Sequence, residues 1–170
     1  MSKAFVRESD SNDGEEVLRP LPVLPTGARN YLTTEGAKRL QDELTQLLET
    51  DRPRFAADPT DPDNRRQLQV IDHRIRHLQQ SLASAEILAP GVRTHQDAAR
   101  FGDTVTVREA DGTTVKYRIV GVDEAGLEVH WISWQSPLAK ALLAARRGEH
   151  VSFETPAGPT QLEVLDITSA

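Results

Sequence analysis

The sequence predicts an α+β protein: an N-terminal antiparallel coiled-coil hairpin followed by a small antiparallel sheet domain with one helix. Two observations support this fold class. Apolar residues recur every three or four positions in the first half, as in paired helices, and then alternate with polar residues, as in half-buried strands. We divide the chain into a flexible acidic and proline-rich tail, the hairpin, a linker and the C-terminal domain, at residues 1–29, 30–89, 90–100 and 101–170.

The composition limits the function classes. No cysteine occurs, which excludes disulfides, thiol catalysis and cysteine-ligated metals. The start lacks the apolar core of a signal peptide, and no apolar run approaches the ~18 residues of a membrane span. We therefore expect a soluble, cytoplasmic protein with no membrane contact. A net charge of −6 argues against binding along duplex DNA, so any contact with nucleic acid should come from a local patch.

The tail and the first helix are separated by composition. Prolines in "RPLPVLPTG" block a helix, and the acidic residues before them leave too little apolar surface to order the segment. The helix is predicted to begin with Thr33 or Thr34 as N-cap and Glu35 in its first turn. Pro53 ends or kinks it. Its apolar stripe consists of Ala37, Leu40, Leu44 and Leu47.

The second helix is predicted from Asp61 as N-cap and Pro62 as first residue, and it ends before Pro90. Each stripe is too narrow to bury itself alone, so the two helices should pack antiparallel. The stripe of this helix is Leu68, Ile71, Ile75, Leu78, Leu82 and Ala85.

The C-terminal domain is predicted from five alternating segments, "DTVTVRE", "TTVKYRIVGV", "GLEVHWIS", "EHVSFETP" and "TQLEVLDITS". Asp111-Gly112 favours a tight turn between the first two. Ser136 and Pro137 favour a helix start, and Gly148 favours its end. The face of that helix turned to the sheet carries Leu138, Leu142 and Leu143.

Three aspartates lie in the turn between the two long helices. Asp58, Asp61 and Asp63 have carboxylate oxygens, which suit Mg²⁺. The spacing lacks the glycine and distal glutamate of an EF-hand, and turn or cap roles explain the same residues. Both interpretations stay open on the residues alone.

The second helix is basic on its outer side. Arg65, Arg66, Arg74 and Arg76 either pair with acids of the first helix or form a track that contacts RNA or an acidic protein channel. His73 and His77 have the i, i+4 spacing of metal ligands, but the heptads turn both to solvent and no third ligand lies nearby. A hydrolase built on Ser133, Ser136 and His130 would lack the Gly-x-Ser-x-Gly elbow.

Several longer motifs resemble the bacterial GreA/GreB family of transcription elongation factors. "YLTTEGAKRLQDEL", "DRP" and "IDHRIRHLQQSLASAEIL" are similar to the helical part of that family. "FGDTVTVREADGTTVKYRIVGVDEA" and "SPLAKALLAARRGEHVSFETPAG" are similar to its C-terminal signature. The resemblance covers residues 30–168.

The resemblance implies an FKBP-like C-terminal domain that docks at the rim of the RNA polymerase secondary channel, and a monomer whose coiled coil enters that channel. In the family, acidic tip residues help to hold Mg²⁺ at the polymerase active centre, where nascent RNA is cleaved. The factor is then no enzyme in itself and has no intrinsic metal or tightly bound cofactor. Docking residues are expected at Ser136, Pro137, Leu138 and Lys140, and the arginines would face the channel or the RNA.

The sequence departs from the family at the tip. It has roughly a dozen fewer residues there. Divided between the two arms this is about six residues each, which shortens the reach of the tip by ~9 Å at about 1.5 Å per residue. No glutamate occurs in residues 52–70, and Asp58 and Asp61 keep only an Asp-x-x-Asp spacing. We therefore predict weak or no transcript cleavage. The alternative is a true cleavage stimulator acting through Asp58, Asp61 and Mg²⁺.

Two further classes stay open. The FKBP-like fold suggests a prolyl isomerase, but fold does not carry function and that activity needs an aromatic-lined pocket. Trp131, Trp134, Tyr117 and Phe153 are explained as core or interface residues by strand alternation. The other class is a hairpin-mediated interaction protein without a link to the polymerase.

Overall fold

The computed structural model describes residues 21–89 and 98–169, and within them the chain has the predicted α+β class. Most of the tail and most of the linker predicted at residues 90–100 lie outside the described residues. The elements are β1 (Asn30–Thr33), α1 (Thr34–Gln46), a π-helical turn (Leu47–Asp51), α2 (Arg52–Ala56), α3 (Pro62–Ser84), β2 (Ala85–Leu88), β3 (Asp103–Arg108), β4 (Thr114–Val120), a 3₁₀ turn (Val122–Glu124), β5 (Trp131–Ser133), α4 (Pro137–Leu142), β6 (His150–Thr155) and β7 (Gly158–Ser169).

The first arm, residues 34–56, begins at the predicted cap. The hydroxyl of Thr33 accepts a hydrogen bond from the amide of Gly36 at 2.9 Å, which satisfies one free donor of the first turn. The second arm, residues 62–84, begins in the same way, because Asp61 accepts from the amide of Asp63 at 2.9 Å and Pro62 fills the first helical position.

Pro53 does not end the first arm, contrary to one of the two predicted outcomes. The preceding π-helical turn is one residue wider than an α-turn, and the amide of Arg52 bonds the carbonyl of Leu47. This wider turn accommodates a proline that lacks an N–H and whose ring would crowd a regular helix. The extra residue also shifts the apolar stripe, so that Phe55, eight residues after Leu47, packs against the buried cluster of the arms.

The two arms run in opposite directions and pack on each other. Arg52, late in the first arm, bonds Asp72 at 2.8 Å, whereas Glu43, in its middle, bonds Arg74. The coiled-coil description of this pair stays a prediction. The residues buried between the arms and β1 are Leu32, Ala37, Leu40, Leu44, Ile71, Ile75 and Leu78.

A two-stranded parallel sheet forms the base of the arms. β1 pairs with β2 from Asn30 opposite Ala85 to Thr33 opposite Leu88. The buried amide of Asn30 donates to the carbonyl of Ser81 at 2.9 Å and thereby fastens β1 to the last turn of α3.

The C-terminal sheet has the order β5-β4-β3-β7-β6 and is mixed, so the prediction of an antiparallel sheet was wrong. β4 and β5 pair parallel because the chain does not turn back after β4. It passes through the 3₁₀ turn and a loop, and rejoins the sheet at Trp131 in the same direction. The predicted strand "GLEVHWIS" is therefore reduced to its last three residues. His130, just before them, has a φ of 68°, which a regular strand does not allow.

One face of this sheet is covered by α4 and forms a second buried cluster, separate from that of the arms. The helix buries Ala139 and Leu142 completely, with Leu138 and Leu143 half-buried beside them. The rest of the fully or nearly buried set is Ala99, Val105, Val107, Ile119, Ala145, Leu162 and Val164.

Candidate functional site: the acidic turn and the base of the arms

Two of the three turn aspartates are used by the turn itself. The carboxylate of Asp58 accepts from the hydroxyl of Thr60 at 2.6 Å and from its amide at 3.1 Å. The side chain of Asn64 donates to the carbonyl of Asp58 at 3.0 Å, and Asp61 caps α3. Asp63 is exposed in the first helical turn, where a negative charge favours the helix dipole. Each aspartate therefore has a local structural role.

The turn can still present negative charge to a cation. The hydrogen bonds from Thr60 lower the pKa of Asp58, so this carboxyl is ionised at neutral pH and does not act as a general acid there. Within residues 21–89 and 98–169, no three histidine, cysteine, aspartate or glutamate side chains are grouped as a metal site. A cation at the turn would need ligands from another molecule.

The predicted basic residues fall into two groups. Arg74 is half-buried and makes a bidentate ion pair with Glu43 at 2.7 and 2.8 Å. This pairing raises the pKa of Arg74 and fits the interpretation as cross-helix charge pairing. Arg65, Arg66 and Arg76 are exposed and remain candidates for contact with RNA or a protein channel.

The predicted docking residues lie at the start of α4. Ser136 is half-buried, and its hydroxyl accepts from the amide of Ala139 at 3.1 Å as the N-cap. Pro137 and Lys140 are exposed, whereas Leu138 packs against the sheet. The surface that α4 offers to another molecule thus consists of Pro137 and Lys140.

The structure gives no support to the two chemistries considered from the residues alone. Ser133 accepts from the amide of Gln135, Ser136 caps α4, and the ring of His130 packs edge-on against Tyr117. A small cavity of about 160 Å³ beside β3, β6 and β7 is lined mainly by charged and polar side chains and by no phenylalanine, tyrosine or tryptophan. Neither arrangement resembles a nucleophile with its base or the pocket of a prolyl isomerase.

Sequence reasoning missed two buried acids at the base of the arms. Asp123 and Glu124 lie in the 3₁₀ turn and are 7% and 0% exposed, which is rare for carboxylates unless they are bonded. The only available signal was the pair of acids directly after the apolar strand "YRIVGV". Both acids lie between two predicted strands, and the sequence pattern assigned them no role.

The two acids bond different arms. Asp123 contacts the ring of His77 at 2.6 Å and accepts a hydrogen bond from the hydroxyl of Ser81, both in the second arm. His77 therefore faces the C-terminal domain, and its prediction as a solvent-facing residue was wrong. The heptad pattern shows only that His77 faces away from the partner helix. In the structure the 3₁₀ turn of the C-terminal domain covers that face.

Glu124 bonds the start of the first arm. Its carboxylate accepts from the amide of Thr33 at 3.0 Å, from the Thr33 hydroxyl, and from the amide of Gly121 at 2.7 Å. A Cβ at Gly36 would lie 1.7 Å from its Oε1, and a Cβ at Gly121 would lie 2.2 Å from the carbonyl oxygen of Tyr31. The two glycines leave the space that this contact needs.

A further set of contacts, only partly exposed, completes the base. The guanidinium groups of Arg39 and Arg118 lie 4.9 and 4.6 Å from the ring centre of Trp131, at cation–π distance. Glu35 bonds both arginines, at 2.9 and 2.5 Å, and Arg39 also bonds Glu128 at 2.7 Å. These contacts join the first arm to β4, to β5 and to the loop before it.

Comparison with known proteins gives consistent matches. Residues 94–169 match the family model "Transcription elongation factor, GreA/GreB, C-term". Transcription elongation factor GreB of Neisseria meningitidis (strain Z2491) is 36% identical over 157 residues, covering 85% of this chain and 96% of the relative. Transcription elongation factor GreA of Halorhodospira halophila is 33% identical over 150 residues, covering 80% and 95%.

Solved structures that are similar include the crystal structure of GreA factor homolog 1 (Gfh1) of Thermus thermophilus. The identity is 25%, the match covers 84% of this chain and 100% of that one, and the TM-score is 0.40. In the described part of the chain, no helix is both long enough and apolar enough to cross a membrane.

Proposed function

Because the chain belongs to the GreA/GreB family of transcription elongation factors, we propose that it binds bacterial RNA polymerase and inserts its paired arms into the secondary channel. It would regulate elongation there, in the cytoplasm and as a monomer, with weak or no transcript cleavage. The observation that carries this proposal is the match over 96% of a GreB relative, which includes the arms as well as the C-terminal domain.

The C-terminal domain is the proposed docking unit. It matches the family model, and at the start of α4 it exposes Pro137 and Lys140 on a helix whose other face is fixed in the core. Because Ser136 caps the helix, the backbone that carries these two residues has a defined position. An exposed pair on a fixed backbone suits a protein–protein contact.

The arms are the proposed channel unit. The 23 residues of α3 span about 34 Å at about 1.5 Å per residue, which separates the acidic turn from the C-terminal domain. Arg65, Arg66 and Arg76 are exposed along this arm and would contact the channel wall or nascent RNA through charge.

The predicted loss of cleavage is supported by two observations. The match with the GreB relative extends over 157 positions, whereas 85% of this 170-residue chain is about 145 residues. About a dozen positions of the relative, the difference of those numbers, thus have no counterpart, in agreement with the short tip. In addition, Asp58 and Asp61 are held by hydrogen bonds of the turn, and a misplacement of even ~1 Å can cost about 100-fold in such chemistry.

One observation favours the alternative of a true cleavage stimulator. Asp58 is exposed at the tip, and its lowered pKa keeps it ionised, so it could help to hold a Mg²⁺ that the polymerase already binds. The metal would supply an activated water at the polymerase active centre, and this chain would contribute only acid groups.

Binding and cleavage are tested separately. We expect the purified protein to bind RNA polymerase, with Lys140→Glu weakening binding at least tenfold and Lys116→Glu, at an exposed position on β4, leaving it unchanged. Failure of the wild-type chain to bind would refute the proposal and favour an interaction protein with another partner. Equal binding of the two variants would refute the docking site.

Cleavage is measured as Mg²⁺-dependent shortening of labelled RNA in a backtracked elongation complex. We expect little or none above the polymerase alone. Strong shortening that is lost in Asp58→Ala/Asp61→Ala would establish the alternative. The matched control is Asp111→Ala, which removes a similar turn aspartate, bonded to the amide of Thr113, far from the tip.

A further inference from the structure

We propose that Asp123 and Glu124 are positioning residues that set the direction of the paired arms relative to the C-terminal domain. Their use in regulating the polymerase rests on the proposed function, but the geometry itself does not. They are consecutive in one short turn of the C-terminal domain, and each bonds a different arm.

The contact with the second arm is specific in its geometry. Both carboxylate oxygens of Asp123 are used, one by the ring of His77 at 2.6 Å and the other by the hydroxyl of Ser81. These residues are one helical turn apart on the same face of α3. Two bonds along the helix fix its rotation about its own axis as well as its distance, which a single contact would not do.

The contact with the first arm fixes the point where the arm begins. Glu124 bonds both the amide and the hydroxyl of Thr33, which is the N-cap of α1. The same carboxylate bonds the amide of Gly121 in its own domain. The cap of the arm and the end of strand β4 therefore share one acceptor group, and neither can move without breaking a buried hydrogen bond.

The spatial fit indicates a tight connection. Gly36 and Gly121 lie on opposite sides of the connection, and at either position a Cβ would overlap atoms of the other side. Helices disfavour glycine by about 1 kcal/mol relative to alanine, so a glycine at position 36 has a cost that the close approach of Glu124 offsets.

A small rotation at the base of the arms causes a large displacement of their tip. A rotation of about 10° at the base moves the end of a ~34 Å arm by about 6 Å. This displacement is comparable with the ~9 Å of reach lost by the shortened tip. A chain with a short arm thus depends strongly on the angle at which the arm leaves the C-terminal domain.

The test measures that angle directly in the full chain. The protein contains no cysteine, so Ala56→Cys at the end of α2 and Lys116→Cys on β4 provide two unique sites for spin labels. For the distance between the two labels, we expect pulsed electron paramagnetic resonance to give a single narrow distribution. In the Asp123→Ala/Glu124→Ala background, we expect its width to increase at least about twofold. An unchanged mean and width would overturn the proposal.

Control variants separate positioning from general stability. Glu124→Gln keeps the shape and can still accept from both amides, so it should retain the narrow distribution. Glu163→Gln breaks an exposed ion pair with Arg108 on the far strands and should also retain it. If the double alanine variant does not fold, His77→Ala/Ser81→Ala removes the second-arm bonds to Asp123, together with one bond from Asn30 to the Ser81 hydroxyl, and leaves the Glu124 contact in place. An unchanged distribution in that variant would equally overturn the proposal.

The effect of these variants on RNA polymerase is measured in a separate experiment. We expect the loosened variant to bind RNA polymerase within about threefold of wild type, since Pro137 and Lys140 are untouched, but to lose at least tenfold of its effect on elongation. Retention of the full effect by a variant with a widened distribution would refute the positioning role. If the wild-type chain does not bind polymerase at all, the proposed function fails while the distance measurement still decides the orientation.

Discussion

Replacement of Gly36 by alanine tests the contact between the first arm and the C-terminal domain. Gly36 lies in the first turn of α1, and Gly→Ala in a helix normally stabilises by about 1 kcal/mol. Here the added Cβ would lie 1.7 Å from Oε1, 2.1 Å from the carboxyl carbon and 2.4 Å from Cγ of Glu124. The whole carboxylate would have to move, because no single flexible atom can yield.

The expected loss can be worked out from the bonds that Glu124 makes. Its displacement leaves the amides of Thr33 and Gly121 buried without an acceptor, and each such donor costs about 1–3 kcal/mol. Two such donors cost about 2–6 kcal/mol, and subtracting the helix gain of about 1 kcal/mol leaves a net loss of about 1–5 kcal/mol in the free energy of unfolding. Urea denaturation followed by circular dichroism measures this quantity.

A double-mutant cycle isolates the cause. In a Glu124→Ala background the carboxylate is absent, so Gly36→Ala should become neutral or stabilise by up to about 1 kcal/mol. A coupling of about 2 kcal/mol or more between the two positions is therefore expected. Stabilisation by Gly36→Ala in the wild-type background would refute the reasoning, since it would mean that the helix gain is unopposed.

Three further predictions concern the arms and their base. The bond from Arg118 lowers the pKa of Glu35 below its usual 4.5, so the folded state binds this proton less tightly than the unfolded state. The resulting stabilisation is complete above about pH 4.5 and is lost as pH falls through the pKa of the folded state. Glu35→Gln should therefore reduce the loss of stability at acid pH in unfolding experiments between about pH 3 and 6. Arg74→Met removes a half-buried bidentate ion pair and should lower the free energy of unfolding by about 1 kcal/mol. Arg76→Met, at an exposed position, should change this free energy little. Equal effects of the two substitutions would contradict the role of the ion pair. Deletion of exposed Leu48 removes the extra residue of the π-helical turn and leaves Pro53 in a regular helix, where its ring crowds the preceding turn. It should therefore lower the melting temperature by several degrees in calorimetry, and an unchanged value would contradict the role of the wider turn.

The sequence was most informative where a local pattern has one physical cause. Spacing of three and four identified the helical residues buried between the arms, and the capping rules identified Asp61 and Ser136 as helix starts and narrowed the first start to Thr33 or Thr34, of which Thr33 is the cap. These features depend on neighbours within a few residues. The acidic turn was also recognisable, because turn and cap roles are encoded by the aspartates themselves.

Features that depend on distant elements could not be predicted. The sheet was expected to be antiparallel because alternation of apolar and polar residues carries no information on strand direction. The heptad turned His77 to solvent because it describes only the partner helix and not the domain that covers the outer face. Glu124 was not singled out, since its partner Thr33 lies 91 residues away in the sequence.

The tip and the base of the arms differ in how much a substitution there can change. At the tip each aspartate bonds within its own turn, so a substitution changes local charge and cap stability but leaves the direction of the arms as it is. At the base Asp123 and Glu124 bond groups 42 and 91 residues away, so loss of one carboxylate weakens the attachment of one arm while the other carboxylate stays bonded. Because the arms pack along their length, weakening one attachment should tilt the pair rather than separate it. The direction of the tip is therefore set at the end of the arms that is farthest from it.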